Sequence, residues 1–341
     1  MYKIKKTDLP KLYAAIAQTQ TLYLPVNSAG KTNFAVWTEE VQPDIETLKT
    51  VKSPKDAFFP QCENLYTVTR EEGKMKLTAE ALESESFVVF GIRACDVRAL
   101  AVLDQVFLTE PVDSYYAARR EHGVLVSLAC NRPEVSCFCG TFGIDCAQPE
   151  GDVATWLAGD YLYWQPQSAK GEALTASLSD LMEAGEEEKV EEAKTEIRAI
   201  CDKLPLKGLS LEKWGAAAAH NNFDSPLWEQ LYKGCLACGT CTFVCPTCQC
   251  YDIKDYNTGN GVQRYRCWDS CMYSDFTMMA HGNNRTSQMQ RFRQRFMHKL
   301  AYFPANNDGM FSCVGCGRCV DKCPSHLNIV KVIKAFGKEE N

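Results

Sequence analysis

Residues 234–250 read GCLACGTCTFVCPTCQC, and the spacing of this stretch governs what the chain must build. Cys235, Cys238, Cys241 and Cys245 follow a C-x2-C-x2-C-x3-C pattern, with Pro246 directly after the fourth cysteine. The same spacing returns near the C-terminus as CVGCGRCVDKCP, carrying Cys313, Cys316, Cys319 and Cys323 before Pro324. A cubane iron–sulfur cluster needs four thiolates converging on one small cage. Three thiolates at two-residue intervals let one loop wrap three corners, and a fourth from elsewhere closes the site. Structural zinc is the alternative, but zinc sites use pairs of C-x2-4-C rather than a triple plus one. Two complete copies, each with its proline, point to two 4Fe-4S clusters. In ferredoxins with two such motifs, the fourth cysteine of each run serves the other cluster. Carried over, Cys235, Cys238, Cys241 and Cys323 hold one cluster, and Cys313, Cys316, Cys319 and Cys245 the other. Pro246 and Pro324 turn the chain away and bring no N–H that would need a partner.

At 341 residues the chain is long enough for two domains with real cores. A hydrophobic content of 45% and a charged content of 23% are ordinary for a soluble globular protein, whereas nineteen cysteines are not. The N-terminus, MYKIKKTDLPKLYAAIAQTQ, has no continuous apolar core of a signal peptide, and runs such as 87–92 and 124–128 are far too short to cross a bilayer. The expectation is a soluble cytoplasmic protein, without membrane contact, whose thiols are kept for metal. A net charge of −6, which thiolate-ligated clusters would make more negative, argues against nucleic acid as a partner.

Residues 1–20 read as a short helix opened by Thr7 or Asp8, with Leu9, Leu12 and Ile16 on one face. The pattern sharpens at 86–108. SFVVFGI is a continuous β-branched and aromatic run, as for a strand buried on both faces, and Val97, Leu100, Leu103 and Val106 then fall at helical spacing behind Asp96. A second apolar run, 123–129, ends in Cys130. Strand, turn, helix and strand in that order predict an α/β unit with a partly parallel sheet. A strand at 161–164 and an acidic, solvated helix from about Leu178 to Cys201 complete an N-terminal domain over 1–205, bounded by Pro205 and Gly208. Residues 209–231 read as a helix leading into the first motif. The segment between the motifs, 246–312, is far longer than a compact βαβ ferredoxin needs, and it holds two helix-like runs, 271–281 and 287–302. The second domain, 206–341, is therefore expected to be mainly helical, and the fold class is α+β with two domains.

Other cysteines gather as well. The strand readings put Cys95 and Cys130 at the carboxyl ends of neighbouring strands, where α/β sheets place their ligands, and Cys137-Phe-Cys139 follows on the next loop with Cys146 within reach. Cys95, Cys130, Cys137 and Cys139 could bind a third cluster, or they could be inert core cysteines. Cys248, Cys250, Cys267 and Cys271 could hold another metal, Cys248 or Cys250 could replace Cys245, or all could be small residues packing around the clusters. Cys62 and Cys201 stand alone and read as structural. The five histidines show no paired ligand spacing, and FGIRACD lacks the G-x-G-x-x-G of a dinucleotide fold. No nucleophile triad or carboxylate pair suggests a catalytic residue. In NRTSQMQRFRQRFMHK, Phe292 and Phe296 share a helix face, and Arg291, Arg293 and Arg295 either lie in solvent, neutralise cluster charge or dock an acidic partner.

Five stretches together resemble a known family: FGIRACDVRALAVLDQVFL, CFCGTFG, PLWEQLYKGCLACGTCTFVCPTCQCYDI, RYRCWDSCMYSDFTMMAHGNNR and CVGCGRCVDKCP. The family groups the A-type subunit of anaerobic sulfite reductase with the beta subunit of cytosolic nickel–iron hydrogenases, and the resemblance covers nearly the whole chain. Gly140-Thr-Phe-Gly143 departs from its pattern, and Cys146, Cys201 and Cys267 fall outside it. The resemblance implies an α-helical ferredoxin domain with two cubanes behind an N-terminal α/β domain. It also implies a subunit that wires a flavin- and NAD(P)-binding subunit to a catalytic reductase or hydrogenase subunit; a similar one occurs in flavin oxidoreductases coupled to heterodisulfide reductase. The expected function is one-electron relay, without substrate or nicotinamide bound by this chain. Two alternatives are a self-contained reductase using the N-terminal cysteines as a metal or cluster site, and a metal-dependent scaffold with no electron traffic.

Overall fold

The structure is a computed structural model and describes residues 1–338; residues 339–341, the end of the expected second domain, lie outside the described ones. The chain opens with β1 (Tyr2–Lys5) and α1 (Leu9–Ala17), which buries Leu9, Leu12, Tyr13 and Ile16. The expected helix thus starts at Leu9, because Ile4 and its neighbours are drawn into a sheet edge. Two hairpins follow, β2 (Thr21–Ser28) with β3 (Lys31–Val36), and β4 (Cys62–Glu71) with β5 (Lys74–Ala79). Then come β6 (Phe87–Ile92), α2 (Ala94–Phe107), α3 (Ser114–His122) and β7 (Gly123–Leu128). Every residue of β6 and of β7 is buried, which is what a continuous apolar run demands. The N-terminal half closes with β8 (Val153–Ala158), β9 (Tyr161–Pro166), α4 (Ala169–Ser177), β10 (Glu183–Ala184) and α5 (Glu187–Cys201). The acidic helix begins at Glu187 rather than near Leu178, since a short 3-10 turn and β10 come first.

Eight of these strands form one sheet, in the order β10-β1-β9-β8-β7-β6-β2-β3. The pairs β2–β6, β6–β7 and β7–β8 are parallel and the outer pairs antiparallel, so the sheet is partly parallel, as expected. The β6–β7 register slips between Phe90 and Ile92, where Gly91 takes a φ of +80°. This bulge ends β6 and sends Arg93 and Cys95 over the top of the sheet.

Residues 206–338 hold short helices around one hairpin: α6 (Ala218–Asn221), α7 (Leu227–Leu231), α8 (Thr240–Phe243), β11 (Tyr251–Asn257) and β12 (Gly261–Trp268). A two-residue ladder, β13 (Met278–Met279) with β14 (Gly282–Asn283), precedes α9 (Gln288–Met297). The end comprises α10 (Phe303–Asn306), α11 (Arg318–Lys322) and α12 (Ile329–Phe336). The helix expected over 287–302 forms, opened by a Ser287–Gln290 capping box and closed by a π-helical turn, His298–Tyr302. The other two expected helices do not form as read. Residues 209–231 break into α6 and α7, and 271–281 is turn and ladder. There Asn283 Nδ2 donates to the Ser274 carbonyl (2.6 Å) and Thr277 Oγ1 to Asn283 Oδ1 (2.7 Å), local bonds that compete with a helix. The hairpin β11–β12 was not anticipated, although TGN between YDIKDYN and GVQRYRCW carries a turn signal.

That hairpin extends across the molecule. β12 pairs with β4, giving a second, antiparallel sheet in the order β11-β12-β4-β5, so a strand from the segment between the motifs completes a sheet begun at Cys62. Arg266 of β12 is buried against Glu63 and Asp113, fastening the same joint. A second joint lies at the cysteine loops. Asp96, one residue after Cys95, makes a fully buried bidentate bridge to Arg318 at 2.6 and 2.7 Å. Arg318 also donates to the carbonyl (2.9 Å) and hydroxyl (3.1 Å) of Thr50.

Candidate iron–sulfur centres

Two short helices organise the C-terminal thiols. α8 carries Cys241 and has Cys245 just beyond its end, while α11 carries Cys319 and has Cys323 at its end. The two helices pack on one another, and a separation of four residues turns each pair of thiols along one side of its helix. The result is a crossed arrangement. One cavity is lined by Cys235, Cys238, Cys241 and Cys323 with Pro324, and another by Cys245, Cys313, Cys316 and Cys319 with Pro246. Among the described residues, no three His, Cys, Asp or Glu side chains converge as one mononuclear ion would need. The thiols instead ring small spaces, as four corners of a polynuclear cage would.

The charges around these cavities test whether anionic clusters fit. Arg295 of α9 lines both, is buried, and leaves its Nε and Nη1 without an acceptor; its Nη2 donates to the Cys241 carbonyl at 3.1 Å. Burial opposes its charge, but the sulfurs of Cys241, Cys319, Cys248 and Cys245 outweigh that and hold its pKa well above the usual arginine range. Lys299 is buried, too, donating to Thr247 Oγ1 (2.8 Å) and the Ser312 carbonyl (3.0 Å), and Cys245 and Cys248 keep its pKa raised against burial. Lys55, from the N-terminal half, donates to the carbonyls of Cys248 (2.8 Å) and Cys245 (3.3 Å) and lies 3.5 Å from the centre of a Trp268 ring. Burial pushes it down to about 8. Three buried cations with no ion pair to a carboxylate among the described residues are costly unless an anion lies beside them. Clusters held by four thiolates supply that anion, so the residues present fit 4Fe-4S groups. Burial likewise pushes the Cys241 thiol up to about 11 and the Cys313 thiol up to about 12, values that only metal ligation would overcome at neutral pH.

Hydrogen bonds already reach the sulfurs. The Leu327 N–H donates to Cys323 at 3.2 Å, Gln288 Nε2 to Cys235 at 3.5 Å, and a hydroxyl–thiol bond joins Thr247 and Cys245 at 3.2 Å. Such contacts stabilise negative charge on sulfur and tune a cluster's potential.

The N-terminal set also comes together. β6 and β7 are parallel neighbours, and Cys95 in the first turn of α2 and Cys130 just past β7 share one cavity with Cys137 and Cys139. The cavity has a volume of about 360 Å³ and is partly open to solvent. Cys146 lines it, and so does Cys201 from the end of α5, which the sequence alone left isolated. Arg93 sits beneath it, buried, donating to the carbonyls of Ile45 (2.8 Å) and Leu48 (3.2 Å). Burial lowers its pKa despite the nearby Cys130 and Cys95. Cys316 lines this cavity as well as the second C-terminal one. The contact is tight: Phe138 N–H donates to the Gly315 carbonyl at 2.8 Å, and a Cβ on Gly315, at φ +62°, would run into the Phe138 backbone.

The remaining thiols divide. Cys248 lies beside Cys245, close to Lys299 and Arg295, and Cys250 lies beside Cys271, the former close to Lys299 and Lys55 and the latter to Arg295. Cys267 faces Cys62 across β12 and β4, away from the cavities. Of the arginines on α9, Arg293 stacks on Phe223 at 3.6 Å and Arg291 donates to the Arg285 carbonyl, so Arg295 alone of those three is buried against thiols. Its position gave a signal: it lies three residues after Phe292, on the edge of the apolar face.

No described helix is long and apolar enough to cross a membrane. Residues 234–327 match the family of 4Fe-4S dicluster domains. No solved structure matches the chain. The beta subunit of sulfhydrogenase 2 from Pyrococcus furiosus is 30% identical over 336 residues, covering 97% of this chain and 96% of that one. With that coverage and the dicluster domain in place, the chain belongs to the family of iron–sulfur subunits that includes the hydrogenase beta and anaerobic sulfite reductase types, proteins of electron transport.

Proposed function

We propose that this protein is the electron-relay subunit of a soluble, cytoplasmic multi-subunit oxidoreductase. It passes single electrons between a flavin- and NAD(P)-binding subunit and a catalytic subunit, a hydrogenase or a reductase of the sulfite or heterodisulfide type. The observation that carries the reading is the crossed feed of α8 and α11, each giving one thiol to each of two adjoining cavities with Arg295 buried between them. Cys235, Cys238, Cys241 and Cys323 hold one 4Fe-4S cluster, and Cys313, Cys316, Cys319 and Cys245 the other, in a ferredoxin domain of helical type within 206–341. Cys95, Cys130, Cys137 and Cys139 hold a third, carried by the α/β domain within 1–205. Bound clusters supply reversible one-electron chemistry. The chain's own residues keep the three sites adjacent through Cys316 and the Phe138–Gly315 contact and offset negative charge with Arg295, Lys299 and Lys55.

Iron and acid-labile sulfide analysis of the anaerobically prepared chain, with EPR, tests this. Twelve irons with interacting cubane signals are expected. Eight irons would remove the N-terminal cluster, and zinc in place of iron would sink the relay.

A further inference from the structure

The N-terminal cavity holds two thiols more than a cubane uses. Cys146 and Cys201 line it beside the four proposed ligands, and their sulfurs stand 2.7 Å apart. The two free thiols are in direct contact, and a disulfide between them needs the sulfurs to close to about 2.05 Å. The approach is built in. Arg198, three residues before Cys201 on α5, donates from Nε (3.1 Å) and Nη2 (2.7 Å) to Asp145, the neighbour of Cys146. On the other side the Cys146 carbonyl accepts from Cys130 N–H (2.9 Å), and the Ala147 carbonyl accepts from Trp156 Nε1 (2.8 Å). The Cys146 loop is thus tied to the helix end through Arg198 and to the sheet through Cys130 and Trp156. Cys146 is buried, whereas Cys201 is half-buried on the cavity wall.

We propose that Cys146 and Cys201 are a redox-active dithiol that reduces a small organic disulfide entering this cavity, converting the one-electron relay into a two-electron, two-proton transfer. Cys201, the more accessible sulfur, attacks one sulfur of R–S–S–R after losing its proton. The substrate S–S bond breaks, one thiol leaves with a proton, and a Cys201–S–S–R mixed disulfide forms. The Cys146 sulfur then attacks the Cys201 sulfur, loses its proton, and releases the second thiol. The Cys146–Cys201 disulfide left behind has given up two electrons. Two electrons, taken one at a time from the iron–sulfur relay, and two protons from water restore the dithiol. The sum is R–S–S–R + 2e⁻ + 2H⁺ → 2 R–SH. The resetting step rests on the relay reading proposed above.

The test uses the full chain, anaerobically, with 2-hydroxyethyl disulfide as probe. Differential alkylation and mass spectrometry should find a Cys146–Cys201 linked peptide after exposure to the probe, and two free thiols again after reduction. Dithionite-driven consumption of the probe should fall at least tenfold in Cys201→Ser and in Cys146→Ala, with iron content and EPR signals unchanged in both. Loss of iron in either variant would make that residue a ligand and overturn the proposal, as would an unchanged rate or the absence of the linked peptide. Resetting the linked peptide with dithiothreitol reads the pair without the clusters. A chain lacking iron that still links and resets sinks the relay and leaves the exchange chemistry. A fully loaded chain with no linked peptide sinks the pair and leaves the relay.

Discussion

Around the two C-terminal cavities, Arg295, Lys299 and Lys55 are buried and make no ion pair with a carboxylate among the described residues, and the nearby sulfurs hold the first two well above their usual pKa ranges. Around the N-terminal cavity the positive charges are already spoken for. Arg318, beside both Cys95 and Cys316, meets Asp96, Lys49 meets Glu134 and Asp321, and Arg93, bound to carbonyls, is pushed down by burial. The same ligand residue is therefore set in two electrostatic environments. A cluster gains one negative charge on reduction, so unmatched buried cations favour its reduced form and raise its potential. With clusters bound as proposed, the C-terminal centres are expected to accept electrons more readily than the N-terminal one.

The two regions differ in this way only if Asp96 neutralises Arg318, and Asp96→Asn attacks that point. It leaves the Arg318 charge buried with two hydrogen bonds to Thr50 and no counter-ion. Removing one partner of a buried pair costs about 3–5 kcal/mol. Urea unfolding should show that loss, because the bridge also joins α2 to α11. A loss below about 1 kcal/mol would mean that cluster charge, not Asp96, neutralises Arg318, and the contrast between the two regions would shrink.

The parts legible in the sequence were those in which chemistry fixes spacing. The eight motif cysteines had to be close along the chain because one loop wraps three corners of a cage, and the all-buried β6 and β7 could be read because burial on both faces leaves no polar alternation. What could not be read depended on contacts between distant segments. Cys201 reaches the cavity only because α5 ends there, and nothing in the helix period marks its last residue. β12 pairs with β4 across about two hundred residues (Arg266 with Glu63, for example), and such pairing has no local signature. Lys55 lies in a turn-rich stretch with no periodicity, so its burial against Cys248 came from the fold alone. Arg295 was half legible: the apolar face of α9 was clear, but an arginine beside that face is ordinarily solvated.

The positive surroundings of the C-terminal cavities should also be felt by His298, next to Lys299. Burial, then Lys299 and Arg285, push its imidazole down to about 4, from 6.5. The neutral ring is the form the fold favours. Its contribution is therefore intact above pH 6.5 and lost as pH falls towards 4. A shift of this size corresponds to at most about 3 kcal/mol. Thermal unfolding from pH 7 to pH 4 should fall more steeply in the wild type than in His298→Gln, which cannot take a proton. Parallel curves would place the acid sensitivity elsewhere and count against an unmatched positive field.

Arg295→Met sharpens the contrast most directly, because it removes one cation from between the two C-terminal cavities and keeps the bulk of the side chain. At an effective dielectric of about 20, a unit charge several ångström away is worth about 2 kcal/mol, or on the order of 0.1 V in a one-electron step. Both C-terminal centres should therefore move to lower potential by up to that amount in an EPR-monitored titration. The N-terminal centre, whose neighbouring charges are unaltered, should stay within a few tens of millivolts of its wild-type value. Equal shifts at all three centres would show that Arg295 acts through the fold or through the net charge of the molecule. A shift confined to the centre of Cys235 would place the arginine with one cluster rather than between two, and Lys299 would then be the cation that serves the centre of Cys313.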